Sequence, residues 1–206
     1  PADKPNLPKV QKAEIKPLAD SEMIAFLNAI KGHEYEAVYL VTLFTGMREG
    51  EVLGLTWDCI DFKSGTITIK QQLQKVRGTG GEYILAPTKN GKSRIVAPAK
   101  YVMQILTRQR KTQNEQRLKA GPAWSNPLDL VFTNSLGKNL CAQTVYLHFK
   151  KLAAEAGVPD ARFHDLRHSY AVAALRSGDD IKTVQENLGH HTAAFTLDTY
   201  AHITDQ

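Results

Sequence analysis

Gly65-Thr66-Ile67-Thr68-Ile69-Lys70-Gln71 alternates apolar and polar residues with a period of two, in a chain whose other segments repeat at helical spacing. Period two places successive side chains on opposite faces of a strand, so this stretch marks an inserted sheet. Downstream, Tyr83 to Lys89 and Lys92 to Pro98 flank Asn90-Gly91, a pair suited to the left-handed backbone of a tight hairpin turn, and the two runs read as paired strands. Upstream, Met23, Phe26, Leu27 and Ile30 recur at helical spacing behind Asp20, read as the N-cap with Glu22 in the first turn, and the run stops at Gly32. Further helices are expected at Glu34–Phe44, closing at Thr45-Gly46, and at Arg48–Leu55. Beyond the sheet come helices at Tyr101–Lys119, at Cys141–Ala156 with Val145, Phe149 and Leu152 inward, at Arg162–Arg176, at Asp180–Leu188, and at Thr192–Ile203 with Thr192 as cap. The expected fold is mainly α with a small inserted antiparallel β-sheet (α+β). Pro1 to Leu18, proline-rich and without apolar periodicity, reads as an interdomain linker, leaving residues 19–206 as the domain.

With 206 residues, 42% hydrophobic and 23% charged, the chain falls outside collagen-like, low-complexity and wholly disordered classes. The longest apolar run, Tyr39 to Phe44 with Thr42 inside it, is too short for a membrane span. Cys59 and Cys141 show no pairing pattern and no leader opens the chain, so a cytoplasmic protein without disulfides or membrane contact is expected. Pro1 in place of Met points to a piece of a longer protein. The net charge is +5, but Lys89 to Lys119 carries nine cations against Glu115 alone, a local charge of +8. Charge concentrated in this way favours phosphate contact over general solubility; a solvated helix face at Arg108 to Lys119 is the competing reading.

Three constellations carry chemistry. His164, Arg167 and His168 sit at i, i+3 and i+4 near a helix start, on one face, where free amides and the helix dipole favour an anion such as phosphate. Arg48 follows the Thr45-Gly46 turn at the head of the next helix; a surface pairing with Glu49 or Glu51 is its alternative. Leu188-Gly189-His190-His191 closes a helix, and ten residues after His190 comes Tyr200, flanked by Asp198, Thr199 and His202.

Taken in order, T-G-M-R-E-G-E (Thr45 to Glu51), P-T-K-N-G-K-S-R (Pro87 to Arg94), H-D-L-R-H-S-Y-A (His164 to Ala171), L-G-H-H (Leu188 to His191) and L-D-T-Y-A-H (Leu197 to His202) resemble the tyrosine recombinase (phage integrase) family, most closely integrases of conjugative transposons. V-F-T-N-S-L-G-K (Val131 to Lys138) agrees with it. The resemblance implies that Tyr200 attacks a DNA phosphodiester to give a 3′-phosphotyrosyl link and a free 5′-hydroxyl. It implies that Arg48 and Arg167 hold the non-bridging oxygens with help from His190, that His164 takes or orients the Tyr200 proton, and that Lys89 protonates the leaving 5′-oxygen. His168 is expected to pack its helix. DNA contacts are expected from Lys92, Arg94, Arg108, Arg110 and Lys111.

By the same resemblance the reaction needs no cofactor and no metal, passes through a Holliday junction in a homo-tetramer on paired double-stranded DNA recombination sites, and serves integration and excision of a mobile element. An accessory excision factor is a further expected partner, and the expected setting is a bacterial cytoplasm, nucleoid-associated on DNA. A core-binding domain is expected N-terminal to this sequence, and a terminal segment beyond Gln206. Two rivals are a metal-dependent phosphohydrolase using His164, His168, His190, His191 and Asp165, and a DNA-binding regulator without chemistry.

Overall fold

The computed structural model describes residues 16–76, 78, 81–190 and 200. Most of the linker and most of the last expected helix, with its cap Thr192, lie outside these residues; Leu18, the last linker residue, is buried, and its N–H donates to Ser169 Oγ at 2.8 Å. Helix α1 (Asp20–Ile30) turns Phe26 and Ile30 inward. Its N-cap is Ala19 rather than Asp20, because the Glu22 carboxylate accepts the Ala19 N–H at 2.8 Å and does the capping from within the first turn. Helix α2 (Glu36–Thr45) is buried from Val38 to Leu43 and at Thr45, so it runs through the centre. Thr42 and Thr45 satisfy their hydroxyls by donating back to Val38 O and Val41 O.

After α3 (Glu49–Leu53) the chain forms β1 (Ile60–Asp61), β2 (Thr66–Ile69), β3 (Gln71–Lys75), β4 (Tyr83–Pro87) and β5 (Arg94–Val96), all paired antiparallel. The alternation that marked β2 is borne out: Ile67 and Ile69 are buried. The hairpin expected at Asn90-Gly91 is not one. Its two arms belong to different sheets, β4 pairing with β3 (Gln71 opposite Pro87) and β5 with β2 (Ile67 opposite Val96), which gives sheet orders β1-β2-β5 and β3-β4. Two small sheets therefore replace the single expected one.

Helix α4 (Lys100–Ala120), α5 (Ala142–Glu155), α6 (Phe163–Arg176) and α7 (Ile181–Leu188) complete the domain, and Tyr200 has helical backbone. The main core centres on the rings of Phe26, Tyr39, Phe149 and Phe163, whose contacting pairs have centroids 5.4 to 6.1 Å apart in edge or tilted geometry. A smaller cluster of Ala171, Val172, Ala174, Val184, Leu188 and Tyr200 joins α6 to α7. That second cluster is what places the tyrosine.

Candidate active site

Three helix ends converge. Helix α2 stops at Gly46, whose φ of 66° is left-handed, and Arg48 follows as the residue preceding α3. Helix α6 is capped by Asp165, which accepts the Arg162 N–H and its guanidinium at 2.8 Å each, so this carboxylate is already committed. Two residues on, Arg167, 1% exposed, donates from Nη1 to Gly46 O and from Nη2 to Leu188 O, both at 2.5 Å. Its guanidinium thus sits between the carbonyl ends of α2 and α7, where helix dipoles favour a cation. Burial, then the charge of Arg48, brings it down to about 9, so it stays charged at neutral pH.

The Arg48 guanidinium donates from Nη1 to Glu51 Oε1 at 2.8 Å, and its backbone N–H donates to Glu51 Oε2 at 2.9 Å. This is the expected pairing, but no surface contact, because Glu51 is 1% exposed. The other face of that carboxylate takes Arg94, Nη1 to Oε1 at 3.0 Å and Nη2 to Oε2 at 2.6 Å. Burial alone would raise the Glu51 carboxyl; the Arg94 bonds and charge, then Arg48, outweigh it and hold it at about 2.

Tyr200 is fully buried and its hydroxyl lies 2.6 Å from His168 Nδ1. Burial, opposed by the Arg167 charge, pushes the phenol up to about 12, so it stays protonated at neutral pH and shares one hydrogen bond with His168. His168, expected only to pack its helix, therefore holds the tyrosine. His164, expected to meet the phenol, instead sets its exposed ring edge-on to His168 at a centroid distance of 4.7 Å. The His190 ring stacks on Tyr200, centroids 6.4 Å apart and 9° from parallel. All three imidazoles are depressed: His168 to about 4 by burial and then His164, His190 to about 3 by burial and then Arg167 and Arg48, and His164 by desolvation and then Arg167.

A cleft of about 490 Å3 opens in front of this cluster, lined by Arg48, Asn90, Lys92, Arg94, Glu186 and His190 among others. Asn90 Nδ2 donates to Gly189 O at 2.9 Å, which docks the turn holding exposed Lys89 onto the end of α7. Of the expected DNA contacts, Lys92 lines the cleft and Arg94 turns inward to Glu51. Arg108 and Arg110 stand on different sides of α4, Arg110 with its guanidinium 5.6 Å over the Trp57 ring and Arg108 beside His33; Lys111 is exposed. The basic segment is thus not one surface.

Among the described residues, one group has donors close enough for a metal ion: His33, Glu34 and His148, with ligand atoms within 4.8 Å of one another and outside this cleft. His33 Nδ1 accepts the Tyr35 N–H, so the neutral ring carries its proton on Nε2 and gives it to His148 Nδ1 at 3.1 Å, and the pair is satisfied as a hydrogen bond.

The sequence pattern of the Phage integrase family matches residues 16–206. The chain belongs to the phage integrase family. It is 33% identical over 202 residues to a tyrosine recombinase XerC-like protein of Caldanaerobacter subterraneus subsp. tengcongensis, covering 93% of this chain and 51% of that one. To the ICEBs1 integrase of Bacillus subtilis it is 26% identical over 173 residues, covering 82% and 45%. The chain thus spans about half the length of these relatives. Its fold is that of the tyrosine recombinase catalytic domain: the Tn1549 transposon integrase, solved with transposon right end DNA, superposes with a TM-score of 0.78 at 21% identity over 94% of this chain and 64% of that one. The XerA recombinase gives 0.70 at 22% identity over 92% and 62%. Among the described residues, no helix is long and apolar enough to cross a membrane.

Proposed function

We propose that this chain is the strand-cleaving domain of a tyrosine-type site-specific DNA recombinase, acting in integration and excision of a mobile element. The observation that carries the reading is the convergence of Arg48, Arg167, His190 and Tyr200, from four separate parts of the sequence, behind one basic cleft. Arg48 and Lys92 draw a DNA phosphate into the cleft; Arg48, then Arg167 behind it, neutralise the charge that builds on the non-bridging oxygens, and His190 adds a hydrogen bond. The Tyr200 oxygen attacks phosphorus, the P–O5′ bond breaks, and a 3′-phosphotyrosyl ester replaces the diester. In the resting chain the phenol is covered and held by His168, so attack requires its release from that bond. His164, exposed on the same helix, takes the phenolic proton, and Lys89 protonates the departing 5′-oxygen. Because one phosphoester replaces another, a 5′-hydroxyl reverses the step without ATP.

Lys111 and the other cations of α4 reach DNA outside the cleft, in a homo-tetramer on two paired duplexes passing through a Holliday junction, with an accessory excision factor and in a bacterial cytoplasm. The test is a denaturing gel with a nicked DNA substrate that loses its 5′-hydroxyl end on cleavage. The full-length parent protein and its Tyr200→Phe variant are compared in chelator. The expected result is a covalent protein–DNA band that the variant lacks while still shifting the same DNA. A parent that shifts DNA and never forms the band is a regulator, and the proposal fails.

A further inference from the structure

Two guanidinium groups in the cleft, Arg48 and Arg94, bond one buried carboxylate that also feels the charge of Arg167, and the cleavage chemistry uses Arg48 and Arg167. Arg94 is the one without a part. It lines the same cleft but is less exposed than Arg48, 10% against 22% for the side chains, because its guanidinium is turned onto Glu51. Both its terminal nitrogens grip Glu51, and its Nε donates to Asn187 O at 2.7 Å, two residues before Gly189. Glu51 in turn accepts two bonds from Arg48, so its four acceptor sites are filled, two by each arginine.

We propose that Arg94 is a positioning residue for strand cleavage. It holds Glu51 so that Glu51 holds Arg48, and through Asn187 it ties the end of α7, and with it His190, to the same frame. This inference rests on the cleavage reading above. Only a planar guanidinium fork can meet a carboxylate with two parallel bonds and reach a carbonyl from its third nitrogen; an ammonium replaces the charge but not the fork. The charged and titratable groups facing the Glu51 site are Arg48 on its own helix, Arg94 from β5, and Arg167 and Tyr170 from α6, with Glu186 and His190 lining the cleft beyond. Without Arg94, burial is opposed by Arg48 and by Arg167, which does not bond it, and the carboxyl rises from about 2. As pH falls, a raised carboxyl takes up a proton and gives up its grip on Arg48; in the native chain it stays ionised throughout the working range.

The experiment uses the full-length parent with Arg94→Met, Arg94→Lys and the double variant Arg94→Met/Glu51→Gln. It follows covalent-complex formation from about pH 5 to 8.5, DNA affinity, and the Glu51 carboxyl carbon by NMR. Expected are a cleavage rate about 100-fold lower at neutral pH for Arg94→Met, DNA affinity within about threefold of native, and a further fall on the acid side that the double variant lacks. Arg94→Lys, the milder change, keeps the claim testable should the methionine variant misfold; its expected loss is about tenfold. A slowing equal at every pH with affinity lost in proportion would make Arg94 a DNA contact and overturn the proposal, as would an unchanged rate. If the parent forms no Tyr200-dependent complex, the cleavage reading fails by itself. The NMR titration still decides the Arg94 grip, and a Glu51 that titrates alike with and without Arg94 refutes it.

Discussion

Gly46→Ala tests whether the meeting of helix ends is built on a missing side chain. Gly46 has a φ of 66°, where an alanine costs about 1–2 kcal/mol in backbone strain. Its Cβ would also stand 2.5 Å from Tyr170 Cδ1 and 2.8 Å from Leu188 Cδ2, inside any allowed contact, and relieving such overpacking costs about 1–3 kcal/mol more. Together the loss is about 2–5 kcal/mol, and for a domain of this size each kcal/mol lowers Tm by about 2–4 °C. Gly32→Ala is the matched control, because its φ of 78° carries the same strain while nothing lies within 4 Å of the added carbon. Calorimetry of the two variants should separate them by about 1–3 kcal/mol, with Gly46→Ala the less stable. The clash falls on Tyr170 and Leu188, and Arg167 is bonded to Gly46 O and Leu188 O, so the same variant should also cleave more slowly than its stability loss explains. Equal melting temperatures for the two alanine variants would refute the packing argument outright.

Glu49 has one carboxylate oxygen buried without a partner, and burial raises its carboxyl to about 7. A carboxyl raised on folding binds more protons folded than unfolded, so stability falls as pH climbs from about 4.5 past 7; Glu49→Gln should gain on the order of 1–3 kcal/mol at pH 8 and nothing at pH 4, measured by urea melts. The depressed imidazoles act with the opposite sign. His168, buried, and His190, half-buried, are neutral when folded and take protons when unfolded, so lowering pH from about 7.5 to 5 should cost stability on the order of 1–3 kcal/mol, and an unchanged denaturation midpoint would contradict the burial of these two rings. Cys141, exposed ahead of α5 and lowered to about 7 by the Tyr83 hydroxyl and the first-turn amides, should alkylate at neutral pH while buried Cys59 does not, as intact and peptide mass spectrometry would read.

The helices could be read from the chain because their signal is local: the spacing of Phe26 and Ile30 or of Val145, Phe149 and Leu152 is settled within a few turns. Strand pairing is not local. Asn90-Gly91 has hairpin chemistry, yet β3 was free to claim β4 and β2 to claim β5, and nothing near the turn reveals that competition. The motif residues Arg48, Arg167, His190 and Tyr200 were legible as a set, whereas their internal wiring was not. Arg48 and Glu51 look like a surface pair until the fold buries the carboxylate and brings Arg94 from β5 onto it. Arg94 looks like one more cation in a basic run, since burial is a property of what packs over it. His168 gained its contact from Tyr200, 32 positions away, through a small core that no periodicity announces.

The resting protonation states also bear on how the nucleophile is used. Burial raises the Tyr200 phenol and lowers the His168 imidazole, so at rest their hydrogen bond joins two neutral groups. On the cleavage reading proposed above, the phenol keeps its proton until a phosphate is in place. That state suits a site in which burial first, and then the charges of Arg167 and Arg48, depress His164 and His190 until a phosphate arrives. A bound phosphodiester cancels part of that charge and strengthens His164 and His190 as proton acceptors only when there is a phosphorus to attack. The phenol, neutral and hydrogen-bonded in its buried seat, is then inert on its own, and the substrate completes the base that activates it.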